Sequence, residues 1–382
     1  MKVFITAGEP SGDALGAALI EGLKERLPDV ELRGIAGPRM QTAGMESLFA
    51  MDELSVMGIA EVLPKYFHLK RRIRETAEAA VAWQPDVMVT IDSPDFSLRV
   101  AALVKAASFI RTVHYVAPTV WAWRPGRAVK MAKVIDHVLA LFPFEPPYME
   151  AAGMACDFVG HPVATLPRIS EAEKSAFLAK HGLEETSPLV LLPGSRRAET
   201  ERLMPRFTAA IAQSNLADRP VILPTLPHLA ETIKALAEPL PRPPVILTGQ
   251  GISTEEATHE RHVALAAASL ALAASGTISL ELARAGTPMV IAYDMNWLSR
   301  QIIKRKLLID TVTLVNLVSD TRHIPELIGE DCTPTNIAAA LNALEAAPTA
   351  QQHALETTMA RLGEGGAAPG LRAADAILLR LS

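Results

Sequence analysis

The strongest constraint on the fold is an alternation along the chain. Short apolar runs recur between longer amphipathic stretches: Val3 to Ala7, Asp86 to Ile91, Thr112 to Val116, Val138 to Leu141 and Phe158 to Val159 in the first half. The second half repeats the pattern at Leu189 to Leu192, Val221 to Leu223, Val245 to Leu247, Leu270 to Ala274 and Met289 to Ala292. Strands alternating with helices pack as parallel sheets joined by right-handed crossovers, with helices on both faces. Two such series predict two doubly wound α/β domains, and 382 residues are enough for two cores. The alternation breaks at His161 to Ile169, where two prolines precede a polar helix start, Ser170-Glu171-Ala172-Glu173. The expected domains are therefore 1–165 and 166–345, followed by C-terminal helices over 346–382; after Glu326 only helical patterning is read.

Bulk properties remove several classes of function. The net charge of -5 argues against wholesale nucleic-acid binding. Cys156 and Cys332 lie far apart without ligand spacing, so two buried thiols are expected rather than a zinc site or a disulfide. The apolar run after Lys2 is broken by Gly8-Glu9-Pro10, too early for a secretory signal, which predicts a cytoplasmic protein. No stretch approaches the roughly 20 apolar residues of a membrane span, so membrane association would be peripheral.

Ligands of doubly wound domains bind outside the carboxyl ends of the strands, which makes the loops leaving each strand the places to look. The first, Gly8-Glu9-Pro10-Ser11-Gly12-Asp13, carries carboxylates where a dinucleotide-binding chain would offer glycines to a diphosphate. An acidic turn suits neutral hydroxyls, which a carboxylate such as Glu9 can accept from. Thr90-Ile91-Asp92-Ser93-Pro94-Asp95-Phe96 ends a buried strand with two more aspartates. Asp95 is expected as a helix cap. Asp92, facing the crevice between the domains, is a candidate to take a proton from a hydroxyl, with metal binding as the rival role. The chain contains no Asp-x-Asp, the usual divalent cradle for a sugar nucleotide, and no metal or cofactor is expected.

In the second half, Pro193-Gly194-Ser195-Arg196-Arg197 joins a strand to a helix with backbone donors and guanidinium groups, a combination that suits phosphate oxygens. A Ser cap with solvated arginines reads equally well from this stretch alone. Ala274-Ser275-Gly276-Thr277-Ile278-Ser279-Leu280-Glu281 is a second turn of this kind, where a helix N-terminus can hold a diphosphate and Glu281 can accept from a ribose diol. Its plain alternative is a helix start with Glu281 at the positive dipole end. Two such turns in one domain favour a nucleotide.

Two further stretches stay open between structure and function. His114 to Arg124 packs three aromatic rings and a histidine at a strand end, either as core or as a ligand wall. Met57 to Arg74 sets Ile59, Val62, Leu63 and Tyr66 beside Lys70, Arg71 and Arg72, either as an interface-lying helix on anionic lipid or as an ordinary helix with a buried stripe.

Taken together, GEPSGD (8–13), GIAGPRM (34–40), VMGIAEVL (56–63), IDSPDF (91–96), HYVAPTVWAWR (114–124), the stretch from Phe142, FVGHPV (158–163), LLPGSRRAE (191–199), ASGTISLE (274–281) and Asn316 in Leu314-Val315-Asn316-Leu317 resemble the lipid-A-disaccharide synthase family. The matches run in order over most of the chain. The resemblance implies a GT-B glycosyltransferase with two Rossmann-like domains and a crevice between them, acting with inversion and without metal. It implies transfer of 2,3-diacylglucosamine from UDP to 2,3-diacylglucosamine 1-phosphate (lipid X), giving the β-1,6 disaccharide of lipid A and UDP. It further implies that Glu9, Ser11, Asp92, Arg196 and Asn316 occupy functional positions. The enzyme would work peripherally on the inner membrane, with C-terminal helices packed on the first domain or on a partner subunit in a homodimer. Another UDP-sugar enzyme of the same architecture, or a non-catalytic sugar-nucleotide-binding protein, is the alternative. An NAD-dependent oxidoreductase fits less well, since it wants GxGxxG after the first strand and an acidic residue after the second.

Overall fold

The computed structural model describes residues 1–54, 59–296, 300–301 and 306–381, with the side chains of 59–65 outside that description. It divides into two compact units, Met1–Thr165 with Gly365–Ser382, and Leu166–Glu364. The first holds seven parallel strands: β1 (Lys2–Ala7), β2 (Glu31–Ile35), β3 (Glu46–Ser47), β4 (Val87–Ile91), β5 (Arg111–Tyr115), β6 (His137–Ala140) and β7 (Ala155–Phe158). Their order is β3-β2-β1-β4-β5-β6-β7. The second holds β8 (Leu189–Leu192), β9 (Val221–Pro224), β10 (Val245–Leu247), β11 (Leu270–Ala273), β12 (Met289–Tyr293) and β13 (Glu326–Ile328), also parallel, in the order β10-β9-β8-β11-β12-β13. Both are doubly wound.

The inner strands β4, β6, β8, β9 and β11 are buried at every position because both faces are covered. In β1, Val3 and Ile5 pack toward Leu19 and Leu23 of the helix Pro10–Arg26 and Ile377 of the helix Pro369–Leu379. Phe4, one residue out of phase, packs on the other face against Ile73 and Val100. The same division separates Leu189 and Leu191 of β8, which meet Phe207 and Leu341, from Ile222 of β9, which meets Phe177 and Val263.

Local signals set several boundaries. Ser170 caps the helix Glu171–Lys180 through a reciprocal capping box with Glu173, which starts the second unit's first helix where the polar run predicts it. Both cysteines are buried and unbridged. Three readings are corrected. Glu326 opens a strand, β13, rather than a purely helical tail. The helical remainder after 345 is shared: Gln352–Arg361 belongs to the second unit and Pro369–Leu379 to the first. Asp95 is no cap; Ser93 holds that place before the helix Pro94–Ala107, and Asp95 lies in its first turn.

Candidate functional site

The strand order fixes where each sheet can bind. Strand numbering reverses direction between β8 and β11, and between β1 and β4, so the connections diverge there and leave a crevice at the carboxyl ends. All four of the sequence's chemistry-bearing loops leave those four strands.

In the second unit Leu192 and Ala273 are register partners, so the loops after β8 and β11 emerge side by side. Each runs into a helix, Arg197–Gln213 after the cap residue Arg196 and Ile278–Ala285 after Thr277. Neither cap residue bonds the first turn through its side chain. The first-turn amides and the positive end of each helix dipole therefore point toward whatever binds there. A cavity of about 700 Å³ opens at this place, and Ser195, Arg196, Ser275, Gly276, Thr277 and Glu281 all line it. Its size lies within the range of small-molecule and cofactor sites.

The charges in the cavity are paired, but loosely. Arg196 reaches the Glu199 carboxylate at 3.3 Å with 71% of its side chain exposed. Glu199 also accepts from the Tyr293 hydroxyl at 3.1 Å. Burial, with the Glu199 charge beside it, holds that phenol above its usual range. An exposed ion pair is worth about 0–1 kcal/mol, less than the ~1.5–3 kcal/mol of a hydrogen bond to a charged group. Arg196 can leave Glu199 for a phosphate. Glu281 lies 2.8 Å from the Arg261 guanidinium and 3.5 Å from His262, both on the helix Thr254–Ala267.

Sequence reading missed Arg261, Thr225, Thr248 and Thr254, which also line the cavity. The two threonines Thr225 and Thr248 directly follow β9 and β10, so the rule of strand ends pointed to them without any motif to mark them. Asn316 lies elsewhere. It is buried in the helix Leu314–Ser319, donates to the Ile324 carbonyl at 2.9 Å, and accepts from the Ile324 amide at 3.0 Å. That side chain braces the loop between Thr311 and Glu326.

In the first unit the loops after β1 and β4 touch. A Cβ built on Gly8 would stand 2.7 Å from the Ser93 hydroxyl, so the backbone itself makes the contact. Glu9 is the cap residue of the helix Pro10–Arg26, and Ser11 lies exposed in its first turn. Asp13, the second charge of this acidic turn, is buried and accepts from the amides of Arg39 and Met40 at 2.9 and 3.0 Å. From its own helix it thus satisfies two first-turn amides of the helix Pro38–Thr42, whose cap residue is Gly37 in GIAGPRM. Asp92 and Ser93 both adopt left-handed backbone, with φ of 49° and 44°. Such a pair is rare outside glycine and holds only where its surroundings insist on it. Here the Asp92 amide donates to the Tyr115 carbonyl at 3.0 Å, and its carbonyl accepts from the Ser97 hydroxyl at 2.7 Å. No hydrogen-bond or ion-pair partner reaches the half-buried Asp92 carboxylate among the described residues. Nearby on β5, burial pushes the His114 imidazole down to about 4, and it pairs with the Thr90 hydroxyl at 2.7 Å. It stays neutral.

Of the basic segment, Met57 and Gly58 lie outside the described residues, and the part from Ile59 to Arg74 forms the start of the helix Ile59–Trp83. The side chains of Ile59, Val62 and Leu63 lie outside the described residues. Tyr66, Phe67, Lys70 and Arg71 are exposed, Phe67 at 83%. Arg72 is spent on the fold: it pairs with both oxygens of Glu53 at 2.8 Å, bonds Glu75, and stacks over Phe49. Among the described residues no helix is long and apolar enough to cross a membrane.

Comparison of the sequence with known proteins shows one family. The family model described as lipid-A-disaccharide synthetase matches residues 3–367. The lipid-A-disaccharide synthase of Ruegeria pomeroyi is 60% identical over 383 residues, covering 100% of this chain and 96% of the relative. Among solved structures, Anabaena HepE in complex with UDP and glucose aligns with a TM-score of 0.60 at 14% identity, covering 100% of this chain and 99% of that one. MurG of Acinetobacter baumannii aligns with a TM-score of 0.57 at 14% identity, over 99% of both chains. At such identities these two likenesses concern the fold.

Proposed function

This chain belongs to the lipid-A-disaccharide synthase family, a GT-B glycosyltransferase of lipid A biosynthesis, and from that premise we propose how its two units divide the reaction. The second unit binds the UDP of the donor, UDP-2,3-diacylglucosamine. The first binds the acceptor, 2,3-diacylglucosamine 1-phosphate, and supplies the base. The observation that carries the nucleotide half is the cavity between the loops after β8 and β11, lined by two helix starts, Arg196 and the Ser275-Gly276-Thr277 turn. Its donors suit a diphosphate, and Glu281 suits the ribose hydroxyls. In the first unit the acidic turn suits a sugar's hydroxyls, with Glu9, Ser11 and Asp92 at one switch point and no arginine among them.

Replacing Arg196 by Ala is expected to weaken UDP binding by about 1.5–3 kcal/mol, since one charge-assisted contact is lost while the helix start remains. Isothermal calorimetry with UDP checks this. Unchanged affinity would remove Arg196 from the diphosphate.

We further propose that the exposed face of the helix Ile59–Trp83 rests on anionic lipid. Tyr66 and Phe67 supply apolar contact and Lys70 and Arg71 positive charge, each basic residue worth about 1 kcal/mol near such a surface. Lys70→Glu with Arg71→Glu should reduce sedimentation with phosphatidylglycerol vesicles about tenfold or more at low salt, leaving turnover on detergent-dispersed substrate near wild type. Arg72 is left intact in this variant because its contacts hold Glu53. Equal vesicle binding by both proteins would reduce the segment to a solvated face.

A further inference from the structure

Glu145 is a carboxylate buried to 2% exposure that the proposed chemistry does not use. It follows β6 at the carboxyl end of the first sheet, the end that carries Glu9 and Asp92. One of its oxygens accepts from the amides of Leu141 and Phe142 at 3.1 and 3.0 Å. The other accepts from the Trp121 indole at 3.3 Å. Glu145 thus ties the loop after β5 to the loop after β6. Four rings meet around this tie: Trp121 stands edge-on to Phe144 at 5.0 Å, Phe144 stacks on Phe142 at 5.4 Å, and Phe142 lies 5.4 Å from His161 in the loop after β7. Trp121 is buried, whereas Phe142, Phe144 and His161 are only half-buried.

Core packing alone does not require a carboxylate here, because an isolated buried charge is costly unless it is fully bonded. Burial drives the Glu145 carboxyl up to about 7 against the pull of the Phe142 amide, the Trp121 indole and the Leu141 amide. What the charge secures is geometry: a carboxylate accepts at both oxygens and fixes three donors from two loops at once. The half-buried rings it fixes are flat apolar surfaces, which suit the C–H face of a pyranose, at the same carboxyl end of the sheet as Asp92, the loop after β6 lying two strands from the loop after β4.

Resting on the assignment of the acceptor to the first unit, we propose that Glu145 is a positioning residue for the acceptor sugar, clamping Trp121 and the Leu141–Phe142 turn so that Phe142, Phe144 and His161 form the ring-stacking wall of the acceptor site.

The test is steady-state kinetics on the full-length enzyme, with KM measured separately for each substrate. Glu145→Gln keeps the shape but places an amide N–H against bonded donors, and should raise the acceptor KM about tenfold or more with the donor KM within twofold. Trp121→Phe keeps a ring and loses one donor, and should raise the acceptor KM by roughly threefold. That milder variant keeps the test alive if Glu145→Gln fails to fold. An unchanged acceptor KM in both variants, or a parallel rise in both KM values with a lowered melting temperature, would overturn the proposal and leave Glu145 a packing residue. Asp92→Asn in the same assay separates the two levels of failure. A crippled Asp92→Asn beside variants of wild-type KM sinks only the role of Glu145. A near-normal Asp92→Asn together with a donor-only KM rise in Glu145→Gln sinks the acceptor assignment as well.

Discussion

Asp92→Asn is expected to turn over roughly 10²- to 10⁴-fold more slowly than wild type, the usual contribution of a general base, while its affinity for UDP stays within twofold. Transfer with inversion needs a base to take the proton from the acceptor hydroxyl as that oxygen attacks the anomeric carbon from the face opposite the departing diphosphate. A loss of this size corresponds to about 3–5 kcal/mol of barrier, more than the few tenths that a solvated surface carboxylate would cost. The substitution is clean because Asn tolerates left-handed backbone as readily as Asp, so the φ of 49° at this position is kept. The two backbone bonds that pin it, to Tyr115 and from Ser97, do not involve the side chain. Only the proton acceptor is lost. UDP is assigned to the other unit, which is why its affinity serves as the internal control. Asp95→Asn, in the first turn of the next helix and exposed, is the matched comparison. A near-normal rate for Asp92→Asn, or a greater loss in a folded Asp95→Asn, would move the role of base to Glu9.

The architecture was legible because it is written in short-range patterns. Runs such as Val3 to Ile5 and Leu189 to Leu192 are continuously apolar because both faces of the strand are covered, and that pattern survives any tertiary detail. The strands absent from the apolar pattern are β2, β3 and β13, which carry Glu31, Arg33, Glu46 and Glu326 and lie at or next to a sheet edge with exposed or half-buried positions, so no apolar run marks them. The loops were legible for a similar reason, since Gly-Ser turns before helices advertise their donors locally. What a loop's charges do was less visible. Glu9 and Asp13 read as a pair, yet Asp13 spends its charge on amides 26 and 27 residues away. Asp95 reads from sequence as a helix cap, and the backbone instead places it in the helix's first turn while pinning Asp92, whose carboxylate has no partner among the described residues. Asn316 and Glu145 show the same limit: a buried side chain is defined by partners that the fold brings from elsewhere. Arg261 had no signal at all, being one cation on a polar helix until Glu281 stands 2.8 Å from it.

The other large effect lies in the return of the chain's end to the first unit. Gly370→Val is expected to destabilise that unit by about 3 kcal/mol or more, at or above the top of the usual range for overpacking a core. The helices Pro10–Arg26 and Pro369–Leu379 cross with their backbones nearly in contact: a Cβ on Gly370 would lie 2.2 Å from the Ala18 carbonyl oxygen, and one on Gly22 would lie 2.6 Å from the Gly370 oxygen. Neither obstacle is a flexible side chain that could step aside. Glycine is poor in a helix interior, so substitution gains at most about 1 kcal/mol of helix propensity, and less for a β-branched residue. The collision outweighs that gain. Relief requires the last helix to move off, which uncovers Ala373, Ala374 and Ile377, each exposed by 1% or less in the native packing. It also strains the Arg26 bonds to Asp375 and the Arg380 bonds to Asp157. Because the first helix carries Glu9 and Ser11 at its start, the same displacement should lower activity even in protein that remains folded. Urea titration gives the stability, and limited proteolysis should release the C-terminal helix first. Gly126→Ala, where an added Cβ meets nothing within 4 Å, is the control and should be neutral. If Gly370→Val unfolds at the wild-type urea concentration, the close crossing of these two helices is not what holds the chain's end in place.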